Sequence, residues 1–135
     1  MIATPSAAAR AFIAAPLSAV TSSAGIVDLE TTGLGTLTTG AVSGASGVWL
    51  KSAGNLSTGV LTSLNANVNA QSLTGAVAIT SAKAKTALLA ASKTGLSLAS
   101  YTVSAGTADL TAGTDFTSGT ASVIKAFANT AGSAA

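Results

Sequence analysis

LTTGAVSGASGVWLKSAGNLSTGVL, residues 37–61, carries one charge, Lys51, and otherwise alternates threonine, serine and glycine with small apolar residues. Hydroxyl and aliphatic side chains at alternate positions with glycine between them read as short strands joined by glycine turns. A theme of leucine, hydroxyl, glycine and aliphatic residue occurs twice in the stretch, as Leu37-Thr38-Thr39-Gly40-Ala41-Val42 and Leu56-Ser57-Thr58-Gly59-Val60-Leu61. A third copy follows at Leu73-Thr74-Gly75-Ala76-Val77, so the spacings are 19 and then 16 or 17. A solenoid asks for a constant period. The unequal spacing therefore points to successive strands of a β-sandwich or barrel, and a mainly β fold of that kind is the expectation.

Upstream, GIVDLE (25–30) sets Ile26, Asp28 and Glu30 against Val27 and Leu29, which is again a strand. Residues 1–24 read as an extended N-terminal arm, with two helical turns after Ser6 and a stop at Pro16. The expected organisation is thus an arm, 1–24, and one β-rich domain, 25–135. Arg10 and the apolar run after it, ending in Ser22 and Ala24, have the outline of a secretory leader. Pro16 and the single basic residue leave that outline incomplete, and the expectation is a protein assembled inside a cell. Export would instead place a mature N-terminus near Gly25.

Downstream, NANVNAQ (65–71) puts Asn65, Asn67, Asn69 and Gln71 on one face, with Ala66, Val68 and Ala70 on the other. SAKAKTALLAASKTG (81–95) reads as a helix over 81–93. Ala84, Ala87, Leu88 and Ala91 recur at spacings of three and four, Ser81 caps the start and Gly95 follows the end. Lys83, Lys85 and Lys93 would form its wet side. LSLASYTVS (96–104) reads as a strand with Ala99, Tyr101 and Val103 on one side. Ala105-Gly106-Thr107, Ala112-Gly113-Thr114 and Ser118-Gly119-Thr120 suit hairpin turns, and a second short helix is expected over 120–129 around Val123, Ile124 and Phe127.

Composition narrows function. Charged residues are 7% of the 135, where about 25% is usual for a soluble domain, while 48% are hydrophobic, so the chain collapses rather than staying disordered. Much of that fraction is alanine, and the core is correspondingly thin. Contacts between copies would add the missing burial, because a partner that binds only the folded state stabilises it. A homo-oligomeric assembly subunit is expected. Six Lys and Arg against four Asp and Glu give a net charge of +2, too little and too dispersed for nucleic acid. Residues 52–82 carry no charge, but Asn, Gln, Ser, Thr and Gly recur through them, so no membrane segment is expected.

Chemistry is sparse. Without His or Cys there is no imidazole base, thiol nucleophile or disulfide. Asp109 and Asp115 flank a short turn and would suit a weak calcium site, or serve simply as turn-capping aspartates. Asp28 and Glu30 share a strand face that would hold a cation or a lysine, or carry exposed strand-edge charge. Gly33-Leu34-Gly35 opens like a dinucleotide loop, but position 38 is threonine and no helix pattern follows. Ser81 and Lys83 lie close in sequence without a third partner, Asn55-Leu56-Ser57 is a glycosylation sequon, and Thr36-Leu37-Thr38 is one isolated rank of an ice-binding pattern. No catalytic, cofactor-binding or metal-binding residue is assigned, and no enzyme is expected.

TTGLGTLTTGAVSGASG (31–47), GNLSTGVLTSL (54–64) and SAGTADLTAGTDFTSGTAS (104–122) resemble the Gly/Ala/Ser/Thr-rich, charge-poor strands of small virion proteins of tailed bacteriophages, particularly head-decoration (cement) and fibre-type proteins. The resemblance implies a β-rich subunit that docks on a capsid or tail protein, often as a trimer, and bridges neighbours without catalysis. Val42, Trp49, Leu61, Val77 and Tyr101 are then expected in local or shared cores. The alternative is a subunit of an extracellular filament or surface layer of a bacterium or archaeon.

Overall fold

The computed structural model describes residues 2–3, 9–12, 17–31 and 35–130. The strands are β1 (Ile2–Ala3), β2 (Ala9–Phe12), β3 (Leu17–Ser22), β4 (Ile26–Glu30), β5 (Leu37–Gly44), β6 (Gly47–Ser52), β7 (Leu56–Ser63), β8 (Val68–Ser72), β9 (Val77–Ala84), β10 (Ala87–Ser92), β11 (Leu96–Ala112) and β12 (Phe116–Thr130). Every pairing among them is parallel. The odd strands β1, β3, β5, β7 and β9 pair in that order and end on the first part of β11. The even strands β2, β4, β6, β8 and β10 do the same and end on its second part. β11 runs unbroken around the corner between the two walls, and β12 pairs with it on both sides of that corner.

The chain is therefore a β-solenoid of about five turns, not a sandwich or barrel. One turn takes about 20 residues, as the register Val48, Val68, Leu88, Ala108 shows. On the odd wall the register Leu37, Leu56, Val77, Leu96, Phe116 advances by 19, 21, 19 and 20. The repeated theme at 37 and 56 is a true rung repeat, but its third copy begins at Val77. Leu73 lies in the turn before it, 45% exposed, and matching leucine to leucine misplaced the rung and broke the period.

Side chains at equivalent positions stack into ladders that fill the interior. Val27, Val48, Val68 and Leu88 form one, Leu29, Leu50, Ala70, Ala90 and Leu110 another, and Leu37, Leu56, Val77, Leu96 and Phe116 a third, all buried. Leucine, valine and alanine make up most of this interior. Val42, Leu61, Val77 and Tyr101 are in it as expected, whereas Trp49 is 41% exposed on the outside.

The odd strands share an irregularity. Inward positions run Leu37, Thr39, then Val42, Gly44; the next rungs repeat this with Leu56, Thr58, Leu61, Ser63 and with Leu96, Leu98, Tyr101, Val103. Two residues face outward between the pairs, so the alternation slips by one and the wall bends. For this reason Ala99, expected beside Tyr101, is exposed.

No helix occurs among the described residues. The segment expected to be helical over 81–93 is the end of β9, a two-residue turn and β10, with Ala82, Ala84, Leu88, Ala90 and Ser92 inward and Lys83, Lys85 and Leu89 outward. Alanine-rich sequence satisfies both a period of two and a period near four, and alanine's helix preference, under about 1 kcal/mol per residue, yields to the ladders offered by β7 and β8. The backbone expected as a helix over 120–129 belongs to β12. The expected hairpins are also replaced: Gly106 lies inside β11 at its corner, Gly113 in the turn to β12 and Gly119 within β12, all between parallel strands. The helical turns expected after Ser6 are corrected as well, since Ala9–Phe12 is a strand. Leu17–Ser22 is a strand with Leu17 and Val20 buried, and Ala9–Phe12 pairs with β4; the residues after Ser6 through Ala8, and Pro16, lie outside the described residues.

Corners are held by buried hydroxyls. Thr31, Ser52, Ser72 and Ser92 end successive even rungs, all buried. Ser52 Oγ accepts from Leu37 N at 3.1 Å and donates to Asn55 O at 2.8 Å. Thr31 Oγ1 accepts from Ala53 N at 3.0 Å, Ser72 Oγ donates to Gly54 O at 2.6 Å, and Ser92 Oγ donates to Thr94 O at 3.1 Å. At the opposite corner Ser22 and Ser63 accept from Gly25 N and Ala66 N. Among the described residues no buried side-chain polar atom lacks a partner.

Candidate functional site

The parallel register places chemistry that is far apart in sequence side by side. On the outer face of the even wall one row runs Asp28, Trp49, Asn69, Leu89, Asp109 and a second runs Glu30, Lys51, Gln71, Ala91, Thr111. Strand alternation drives this, because Val27 and Leu29 point inward and turn Asp28 and Glu30 out.

Between these rows lies a shallow groove of about 320 Å³ lined by Asp28, Glu30, Trp49, Lys51, Asn69 and Gln71. A second groove of about 220 Å³ continues from Asn69 and Gln71 past Leu89 and Ala91 to Asp109 and Thr111. The shared residues make one trough across five rungs, parallel to the solenoid axis. Lys51 Nζ stands 3.7 Å from Glu30 Oε1, so the one ammonium in the trough is matched by a carboxylate. Trp49 and Leu89, 41% and 37% exposed, supply the apolar surface. A site of this kind presents a flat aromatic face with amides and carboxylates around it, suited to holding a neutral polar molecule by stacking and hydrogen bonds.

The odd wall differs. Its outward row Thr38, Ser57, Ala78, Ser97, Thr117 is small and uncharged. Beside it, Lys83 and Lys85 flank Thr62, Leu64, Thr102 and Ser104 in a groove of about 300 Å³.

The residues singled out from the sequence fall as follows. Asp28 and Glu30 share a face as read, but β4 is paired on both sides, so theirs is not edge charge. Asp109 lies in the even wall beside Leu89, while Asp115 precedes β12 and its carbonyl accepts from Leu96 N at 2.9 Å. Among the described residues no three acidic groups gather as metal ligands. Gly33 and Leu34 lie outside the described residues, and Gly35 O accepts from Gly54 N at 2.7 Å. Ser81 Oγ accepts from Ser100 Oγ at 3.0 Å, and Lys83 is exposed. Asn55 Oδ1 accepts from Ala76 N at 2.9 Å and so ties one rung to the next. Thr36 and Thr38 are exposed around buried Leu37, but the row continues with serine and alanine rather than threonine. The Trp49 row was missed because its members sit 20 or 21 residues apart; the spacing of Val48, Val68 and Leu88 would have revealed it. Among the described residues no helix is long and apolar enough to cross a membrane. Comparison with family models, with curated proteins and with solved structures finds no match to this chain.

Proposed function

We propose that the protein is a non-catalytic structural subunit of a virion, of fibre or capsid-decorating type, working through contacts among many copies and with a capsid or tail protein. The observation that supports this most is the outer edge of β12: fifteen residues of extended backbone with no pairing partner among the described residues on the side away from β11. A long open edge is a template for another strand, and stacked repeats gain stability from each neighbour added. The small, uncharged outward row of Thr38, Ser57, Ala78 and Ser97 would pack side by side with copies of itself without desolvating charge, as a closed trimer would require.

The same edge favours a second reading, a subunit of an extracellular filament or surface layer, since head-to-tail contacts that do not close grow without limit. Light scattering on the purified chain at several concentrations and moderate salt, followed by negative-stain microscopy, separates them. A discrete small oligomer, or a monomer that orders on added capsids, is the expected result. Open-ended fibres would transfer the assignment to the filament, and a monomer indifferent to capsids would overturn both.

A further inference from the structure

We propose that the trough along the even wall is a binding site for a neutral, extended oligosaccharide, with Trp49 as its stacking platform. Three observations converge. First, the chain's single tryptophan stands outward, 41% exposed, on a wall whose own interior ladders are complete without it. An exposed indole offers a flat apolar face with a polar edge, complementary to the C–H face of a pyranose ring. Second, Asn69, Gln71, Asp28, Glu30 and Lys51 surround it, so planar amides and carboxylates lie where equatorial hydroxyls would both donate and accept. Third, the two grooves join at Asn69 and Gln71 into a trough along the axis. Rungs repeat every ~4.8 Å, close to the advance of one sugar unit, so successive rows meet successive sugars, and Leu89 offers a second apolar contact two rungs from Trp49.

Other ligand classes fit less well. Lys51, the one cation lining the groove, stands against Glu30, so a phosphate or nucleic acid would have to compete with that carboxylate for it. A peptide strand has no edge to join here, because β4, β6 and β8 are each paired on both sides.

Because Trp49 is the only tryptophan, its emission reports this site alone. The full chain is titrated with short soluble oligomers of glucose and of N-acetylglucosamine, α- and β-linked, while emission and scattering are followed. A saturable blue shift with at least one oligomer, insensitive to salt, is expected. Calorimetric affinity for that oligomer should fall about tenfold or more in Trp49→Phe and Trp49→Ala in turn, and Gln71→Ala should weaken it with the β circular dichroism unchanged. No shift with any oligomer would overturn the proposal, as would undiminished binding by Trp49→Ala. A blue shift that follows protein concentration alone would also overturn it, since the trough would then be covered by a second copy. Whether an oligosaccharide binds is read separately from the particle size that tests the proposed assembly, so either can fail alone.

Discussion

At the scale of single residues, the fold rests on hydroxyls and glycines at the corners. Ser52 is fully buried, and its hydroxyl both accepts from Leu37 N and donates to a carbonyl. Leu37 N also donates to Asn55 O at 2.9 Å, so Ser52→Ala loses the hydroxyl's bonds without stranding that amide and should cost about 0.5–1.5 kcal/mol in urea unfolding. Glycines mark where neighbouring rungs approach. A Cβ at Gly113 would overlap the carbonyl oxygen of Lys93, one rung earlier, whereas at Gly95 the nearest atom, Asp115 O, would be at an ordinary 3.8 Å. Gly113→Ala should therefore destabilise by about 1–3 kcal/mol, while Gly95→Ala should be neutral or slightly stabilising in the same assay. Gly47, with φ of +150°, is in a backbone conformation that only glycine adopts readily.

At the scale of elements, alternation was legible and rung assignment was not. GIVDLE and NANVNAQ place Val27, Leu29, Val68 and Ala70 inward, as their period of two requires. The segment over 81–93 misled because alanine fits either period; the informative residues are Lys83 and Lys85, two apart and both exposed, which a helix would set on different faces. The face of Ala99 was misread because the odd strands slip by one residue, and nothing local announces that bend. The strand β10 is tested by Leu88→Ala: Leu88 is fully buried between Val68 and Ala108, and its truncation should cost about 2–5 kcal/mol. Circular dichroism of either protein should show the single minimum of β structure, with no helical component.

At the scale of the whole molecule, the sequence carried the β content and the repeated theme but hid the architecture. The 20-residue recurrence lives in burial, at Val48, Val68 and Leu88, rather than in residue identity, and Leu73 offered a false match. The trough shared this fate, being assembled only by stacking. Solenoid energetics are sums over neighbouring rungs, so removing residues 68–87, one full period, should preserve a cooperative β fold with a lowered melting temperature. Removing residues 68–77, half a period, should abolish cooperative unfolding, because odd-wall sequence would then enter the even wall.

Parallel stacking in this register is the central claim, and the absence of native cysteine makes cross-linking the most direct measurement of it. Ser57, Ala78 and Ser97 are exposed and lie in adjacent register on the odd wall, where neighbouring strands stand ~4.8 Å apart, within disulfide reach. Double variants Ser57→Cys with Ala78→Cys, and Ala78→Cys with Ser97→Cys, should oxidise readily to intramolecular disulfides, while Ala78→Cys with Leu89→Cys, on opposite walls, should not. A disulfide between positions 78 and 89, with none between 57 and 78 or between 78 and 97, would contradict the solenoid.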